Sequence, residues 1–228
     1  MPSASEQNRP SSPDPNHLAR RTAELHDGLR QVDPQLLARR TGATYLPAGE
    51  GQGSFHLRYW DRPLALIYPE FVTRDERTGQ GVGPLDEAML AYYFALSDGT
   101  PETSAWISFS DLPDGRFYTQ AFQGYTGDEL ARTMGNDEGG FAAAAGAIHG
   151  RELSTGGQLG DRAFAFRALP HVSLLVVCWL GDEDFPPSYR LLFDGAAKHH
   201  LSTDACAILG SGLTRRLIRA YSQLAADD

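Results

Sequence analysis

The chain has 228 residues, 41% of them hydrophobic and 21% charged, with a net charge of -9. A chain this long buries roughly 70% of the surface it exposes when unfolded, so it needs neither disulfide nor metal to hold a core. The acidic balance argues against nucleic acid or an anionic membrane as main partner, because both need a cationic footprint.

Met1 to Asn16 holds four Pro and four Ser and no aromatic residue. Such a segment cannot repay the entropy of its own ordering, so a disordered tail is expected over residues 1–16. One α+β domain is expected over residues 17–228. No basic-then-apolar leader opens the chain, and no apolar run reaches the roughly 18–20 residues of a membrane span; a cytoplasmic protein is expected. Leu18, Thr22, Leu25 and Leu29 recur at spacings of three and four, one stripe of a helix. Asp33-Pro34 restarts the helix, with Asp as N-cap and Pro in the first turn, and Gly42 closes it.

Tyr45 to Ile67 reads as β structure. Phe55 to Trp60 alternates, Asp61-Arg62-Pro63 breaks the run, and Leu64 to Tyr68 resumes it, which makes a hairpin the simplest arrangement. After a glycine-rich loop, Pro84 opens a helix over Leu85 to Ser97 that is apolar nearly all round, the signature of a central buried helix. Trp106 to Phe109 is a short extended segment. Thr126-x-x-Glu129 predicts a capping box for a helix ending at Gly135, and Asn136 is expected to cap the next one, through the alanine run to Ile148. Strands are expected at Ala163–Arg167, Val172–Trp179 and Tyr189–Phe193, followed by an amphipathic helix from Thr203 to Leu224. The fold class is α+β: a mostly antiparallel sheet packed with helices, including one central buried helix and a C-terminal amphipathic helix.

Chemistry is best sought where strands end. Asp182, Glu183 and Asp184 follow one predicted strand, while Asp194, His199 and His200 follow the next. Carboxylate and imidazole together suit a divalent metal or an acid/base pair. If the two strands form a hairpin, however, Asp182 and Asp194 fall at opposite ends, roughly 15 Å apart. No HExxH, CxxC or HxH spacing occurs, so no metal ligands are assigned, and an acidic solvated turn beside a helix start is the structural alternative. Adjacent His199 and His200 point opposite ways, and His199 is the better site candidate; His56 and His171 are weaker ones.

Of the two glycine-rich runs, 49–54 precedes a strand where a phosphate cradle needs a helix, and 78–84 precedes a helix but has neither the Lys-Ser/Thr of a P-loop nor a complete GxGxxG. Cys178 and Cys206 read as small buried hydrophobes. The aromatics Trp60, Trp106, Tyr118, Phe122, Tyr125 and Trp179 can line a pocket for a flat ligand or simply fill the core.

Leu90-x-Tyr92-Tyr93-x-x-x-Ser97-Asp98-Gly99 and Trp106-Ile107-Ser108-Phe109-x-Asp111-Leu112-Pro113-x-Gly115-x-x-Tyr118 resemble an uncharacterised prokaryotic family, domain of unknown function 3786. Gly160-Asp161, Pro170, Trp179-x-Gly181-Asp182-Glu183-x-Phe185-Pro186, Phe193-Asp194 and His199-x-Leu201 continue the pattern, over roughly Leu36 to Leu224. The resemblance implies His199 rather than His200 as the family position. It carries no activity to transfer. Its members come largely from anaerobic bacteria and archaea, a setting of redox or one-carbon cofactor metabolism.

The expected function is small-molecule or cofactor binding in an accessory or regulatory role, with Asp182, Glu183, Trp106 and Trp179 as ligand-binding residues. The rival is a hydrolase or lyase that uses His199 and Asp194 as catalytic residues, with or without a metal. A protein-interaction module is the third reading. No cofactor is specified by any motif, and no oligomeric state follows from the residues.

Overall fold

Asp33 shows how local chemistry starts an element: its carboxylate accepts from the Gln35 N–H at 3.0 Å, and Pro34 follows with no N–H to satisfy. The computed structural model describes residues 15–154 and 159–227. The segment expected to be a tail lies outside the described residues, except for 15 and 16, which begin the first helix. Helices α1 (Pro15–Leu29) and α2 (Pro34–Thr41) lead into a four-stranded antiparallel meander, β1 (Thr44–Gly49), β2 (Gln52–Tyr59), β3 (Arg62–Tyr68) and β4 (Val72–Asp75). The expected hairpin is present as β2–β3, turning at Trp60-Asp61, where both residues take positive φ, and two further strands flank it.

Helix α3 (Pro84–Leu96) is the central buried helix, with Tyr93 and Phe94 at most 1% exposed. The short strand β5 (Trp106–Ser108) comes next, then α4 (Thr119–Tyr125), α5 (Gly127–Met134) and α6 (Glu138–Ala147). Strands β6 (Arg151–Glu152), β7 (Arg162–Leu169), β8 (Val172–Trp179) and β9 (Ser188–Asp194) join β5 in a second antiparallel sheet of order β5-β9-β8-β7-β6. Helix α7 (Thr203–Asp227) closes the fold. One continuous apolar core joins the two sheets through Phe55, Tyr93, Phe141, Phe193 and Leu213.

Two expected caps differ. Thr126 precedes α5 but makes no cap; its hydroxyl donates back to the Phe122 carbonyl at 2.5 Å, because α4 ends only one residue earlier. A reciprocal capping box forms instead between Ser108 and Asp111, at the turn after β5. Asp137 rather than Asn136 caps α6, accepting from the Gly140 N–H at 2.8 Å. Asn136 is engaged elsewhere, exchanging two hydrogen bonds with the Gly181 backbone.

A polar cleft on the outer face of the five-stranded sheet

Strand alternation splits β7, β8 and β9 into two faces. Phe164, Phe166, Leu174, Val176, Tyr189, Leu191 and Phe193 join the main core. Ala163, Ala165, Leu175 and Val177 face the other way, beneath half-buried Trp106, Trp179 and Leu192. Toward the β7–β8 turn this outer face becomes polar. Trp106 pairs with Asp194, and Arg167 pairs with Ser173 on the next two strands, so four side chains form one row across the sheet. Glu102, Ser104, His149 and Arg151 surround the row, and together they enclose a cleft of about 180 Å³.

Most of the polar groups on one wall are already engaged. Asp194 is 1% exposed and accepts from the N–H groups of Thr103 (2.9 Å), Ser104 (2.6 Å) and Ala196 (2.9 Å), and from the Thr103 hydroxyl at 3.1 Å. Glu102 accepts from Arg167 at 2.7 Å and from the Ser173 hydroxyl. These contacts lace the 97–105 connection onto the sheet. Arg151 is exposed at the rim and makes no ion pair among the described residues.

The two adjacent histidines hold the same connection from its other end. His199 is half-exposed, and its Nδ1 lies 3.0 Å from Asp98 Oδ2. The Thr100 donors, with His199 adding to them, hold the Asp98 carboxyl well below the usual carboxylate range. His200 is fully buried, with Nε2 donating to the Thr100 carbonyl at 2.8 Å and Nδ1 3.1 Å from the Ser97 hydroxyl. A donating Nε2 and an accepting Nδ1 describe a neutral ring, and burial lowers its pKa. His171 stacks on it with ring centroids 5.0 Å apart.

The residues singled out from sequence therefore occupy separate places. Asp194 and Trp106 meet at the cleft. His199 turns to Asp98 rather than to Asp182, Glu183 or Asp194. The acidic turn lies at the far end of the β8–β9 hairpin, since Trp179 pairs with Ser188 while Phe193 pairs with Leu174. Asp182 shapes that turn by accepting from the Phe185 and Asp184 N–H groups at 2.8 and 2.9 Å, which lowers its pKa. Glu183 is exposed beside it. Trp179 shares the outer face with Trp106 but not the cleft, and Arg190 lies over its ring at 5.6 Å. Among the described residues, no three His, Cys, Asp or Glu side chains gather closely enough to hold a metal ion.

Glu102, Ser104, His149, Arg151, Arg167 and Ser173 are the cleft residues that sequence reasoning missed. One signal was legible: Ala163-Phe-Ala-Phe-Arg167 puts Arg167 on the alanine face, where a long cation at the end of a small-residue row marks an opening.

The family described as "Domain of unknown function (DUF3786)" matches residues 33–216, well over half of the chain and all of the cleft. The chain belongs to this family. No curated protein and no solved structure matches it. No described helix is long and apolar enough to cross a membrane.

Proposed function

We propose that this DUF3786 protein binds a small molecule in the cleft, one that carries an anionic group beside a flat apolar part, and that it does so in an accessory or regulatory role. The observation that carries this reading is that Arg151, His149 and the Trp106 ring line one cleft whose carboxylates are already occupied. An anion meets Arg151 without displacing an existing ion pair, and the indole offers a face for a planar group. The cleft volume, about 180 Å³, lies below the roughly 300–1,000 Å³ of drug-sized pockets, which favours a ligand of modest size. Asp194 and Glu102 turn their oxygens to the protein's own donors rather than to the open part of the cleft. That favours binding over catalysis at this position.

The test is native mass spectrometry of gently purified protein, followed by calorimetric titration with small aromatic carboxylates and phosphomonoesters. Stoichiometric binding that weakens at least about tenfold in Arg151→Gln supports the reading; a pair of charge-assisted hydrogen bonds accounts for that factor. Absence of binding across the panel, or binding indifferent to both Arg151→Gln and Trp106→Phe, overturns it.

A further inference from the structure

The four-stranded sheet carries a separate arrangement on its outward face, away from the cleft. Strand pairing sets Leu46, Ser54, Ile67 and Val72 side by side in one row, through the pairs Leu46–Ser54, Ser54–Ile67 and Ile67–Val72. Two residues further along β2, His56 stands on the same face. The Ser54 Oγ lies 2.8 Å from His56 Nε2, and His56 Nδ1 contacts the Glu76 carboxylate just beyond β4. A carboxylate at Nδ1 fixes the ring proton there, so Nε2 is the acceptor and the Ser54 hydroxyl donates to it. Hydroxyl, imidazole and carboxylate thus stand in the order of a nucleophile, its base and the group that orients the base.

The surroundings of Ser54 point to a substrate class. His56 and Glu76 side chains are 30% and 36% exposed, so the relay is open to a reactant from solvent. The row around Ser54 is apolar and uncovered, with Leu46 51%, Ile67 37% and Val72 43% exposed. Neighbours on paired strands stand roughly 5 Å apart, which makes the row a track along which an acyl chain can lie with its carbonyl at Ser54.

We propose that Ser54 is an acyl-accepting nucleophile, with His56 as general base and Glu76 as positioning residue, acting on activated esters of apolar acids. Ser54 Oγ attacks the carbonyl carbon and its proton passes to His56 Nε2. The bond from that carbon to the leaving oxygen or sulfur breaks, and the leaving group departs with the proton from His56. Water, deprotonated by His56 in turn, then attacks the acyl–Ser54 ester, releases the carboxylic acid and restores the hydroxyl. The backbone N–H groups of β2 that pair with β1 and β3 are committed to the sheet ladder. With no pair of them aimed at the carbonyl oxygen, the site suits esters with good leaving groups, aryl or thiol, rather than amides.

The experiment uses the full chain with p-nitrophenyl butyrate, following nitrophenolate release together with the intact mass. A butyryl adduct mapped to Ser54 is expected, and Ser54→Ala abolishes it. His56→Gln slows acylation by about 10²–10⁴-fold, the usual contribution of a general base. In Glu76→Gln the acylation rate falls while the KM for the ester stays unchanged, a split expected of a group that orients the base and does not touch the ester. Circular dichroism checks that each variant folds, and a fluorophosphonate probe on the unaltered protein gives an independent readout, with the label on Ser54. Ester cleavage unchanged in Ser54→Ala, an adduct only on another residue, or acylation as fast in folded His56→Gln as in the parent would each reduce the trio to an ordinary surface hydrogen-bond network and overturn the proposal.

Discussion

Replacing Asp194 with alanine separates a structural clamp from a catalytic carboxylate. The substitution leaves three N–H groups and one hydroxyl without their acceptor, from Thr103, Ser104 and Ala196. Ala196 is fully buried, so its orphaned N–H costs about 1–3 kcal/mol. Thr103 and Ser104 are exposed residues whose N–H groups water can reach. Each still loses a bond to a charged group, about 1.5–3 kcal/mol. Freeing those two residues returns backbone entropy of about 1–2 kcal/mol apiece, which offsets most of that loss. The remainder is a destabilisation of about 2–5 kcal/mol, or roughly 4–20 °C in melting temperature for a chain of this size. Urea unfolding followed by circular dichroism measures the first quantity, and hydrogen exchange across residues 98–105 locates it. Asp194→Asn, which keeps one acceptor oxygen, is expected to lie between the two. A loss below about 1 kcal/mol in Asp194→Ala, with exchange of 98–105 unchanged, would refute the clamp.

Burial lowers the pKa of His26, His171 and His200 below the unfolded histidine value. Their contribution to stability is therefore complete above the unfolded value of about 6.5 and is lost as pH falls below it. The urea midpoint should drop between pH 7 and pH 5, with a shallower slope in His200→Gln; a midpoint that rises on acidification contradicts the assignment. Burial pushes the Cys206 thiol up to about 12 and raises that of Cys178 as well. Neither should react with iodoacetamide at pH 8 until denaturant is added, and alkylation of the folded protein would count against their burial. A Cβ at Gly115 would meet the Phe109 carbonyl oxygen at 2.0 Å, while one at Gly146 in α6 has nothing within 4 Å. Gly115→Ala should therefore destabilise by about 1–3 kcal/mol or more. Gly146→Ala should stabilise by roughly 0.5–1 kcal/mol, as helical alanine does over glycine, and calorimetric melting of the two variants reads the opposite signs.

The elements were legible where one local signal acted alone. The Asp33-Pro34 start, the all-apolar helix beginning at Pro84 and the long apolar strand ending at Trp179 each match the structure. Signals failed where two elements competed for one residue. Thr126 has the sequence of a capping box, yet the last turn of α4 claims its hydroxyl, and Gly181 from a distant turn claims Asn136. The two-residue strand β6 is too short for periodicity to register. The cleft was the least legible part. Its residues come from the 97–105 connection, β5 to β9 and the segment after α6, and only strand register brings Trp106 beside Asp194 and Arg167 beside Ser173. The acidic turn looked like a site because its charges are adjacent in sequence, but adjacency in a hairpin turn places them around Asp182's own backbone contacts.

The two sheets impose different demands on the order of folding. The meander pairs each strand with the next and can form from local encounters. Strand β5 must instead find β9, and Thr103 meets Asp194 across 91 residues of chain. Closing that loop carries the larger entropic penalty, and it is rewarded by three residue pairs of β5 and by side-chain contacts of Asp194, Glu102, His199 and His200 rather than by a long strand ladder. The 98–108 segment is therefore expected to gain exchange protection last on refolding and to lose it first in native-state opening, ahead of β7 and β8. Because that segment supplies Glu102, Ser104 and Trp106 to the cleft, the protein can open its pocket by releasing one edge strand while its core stays intact.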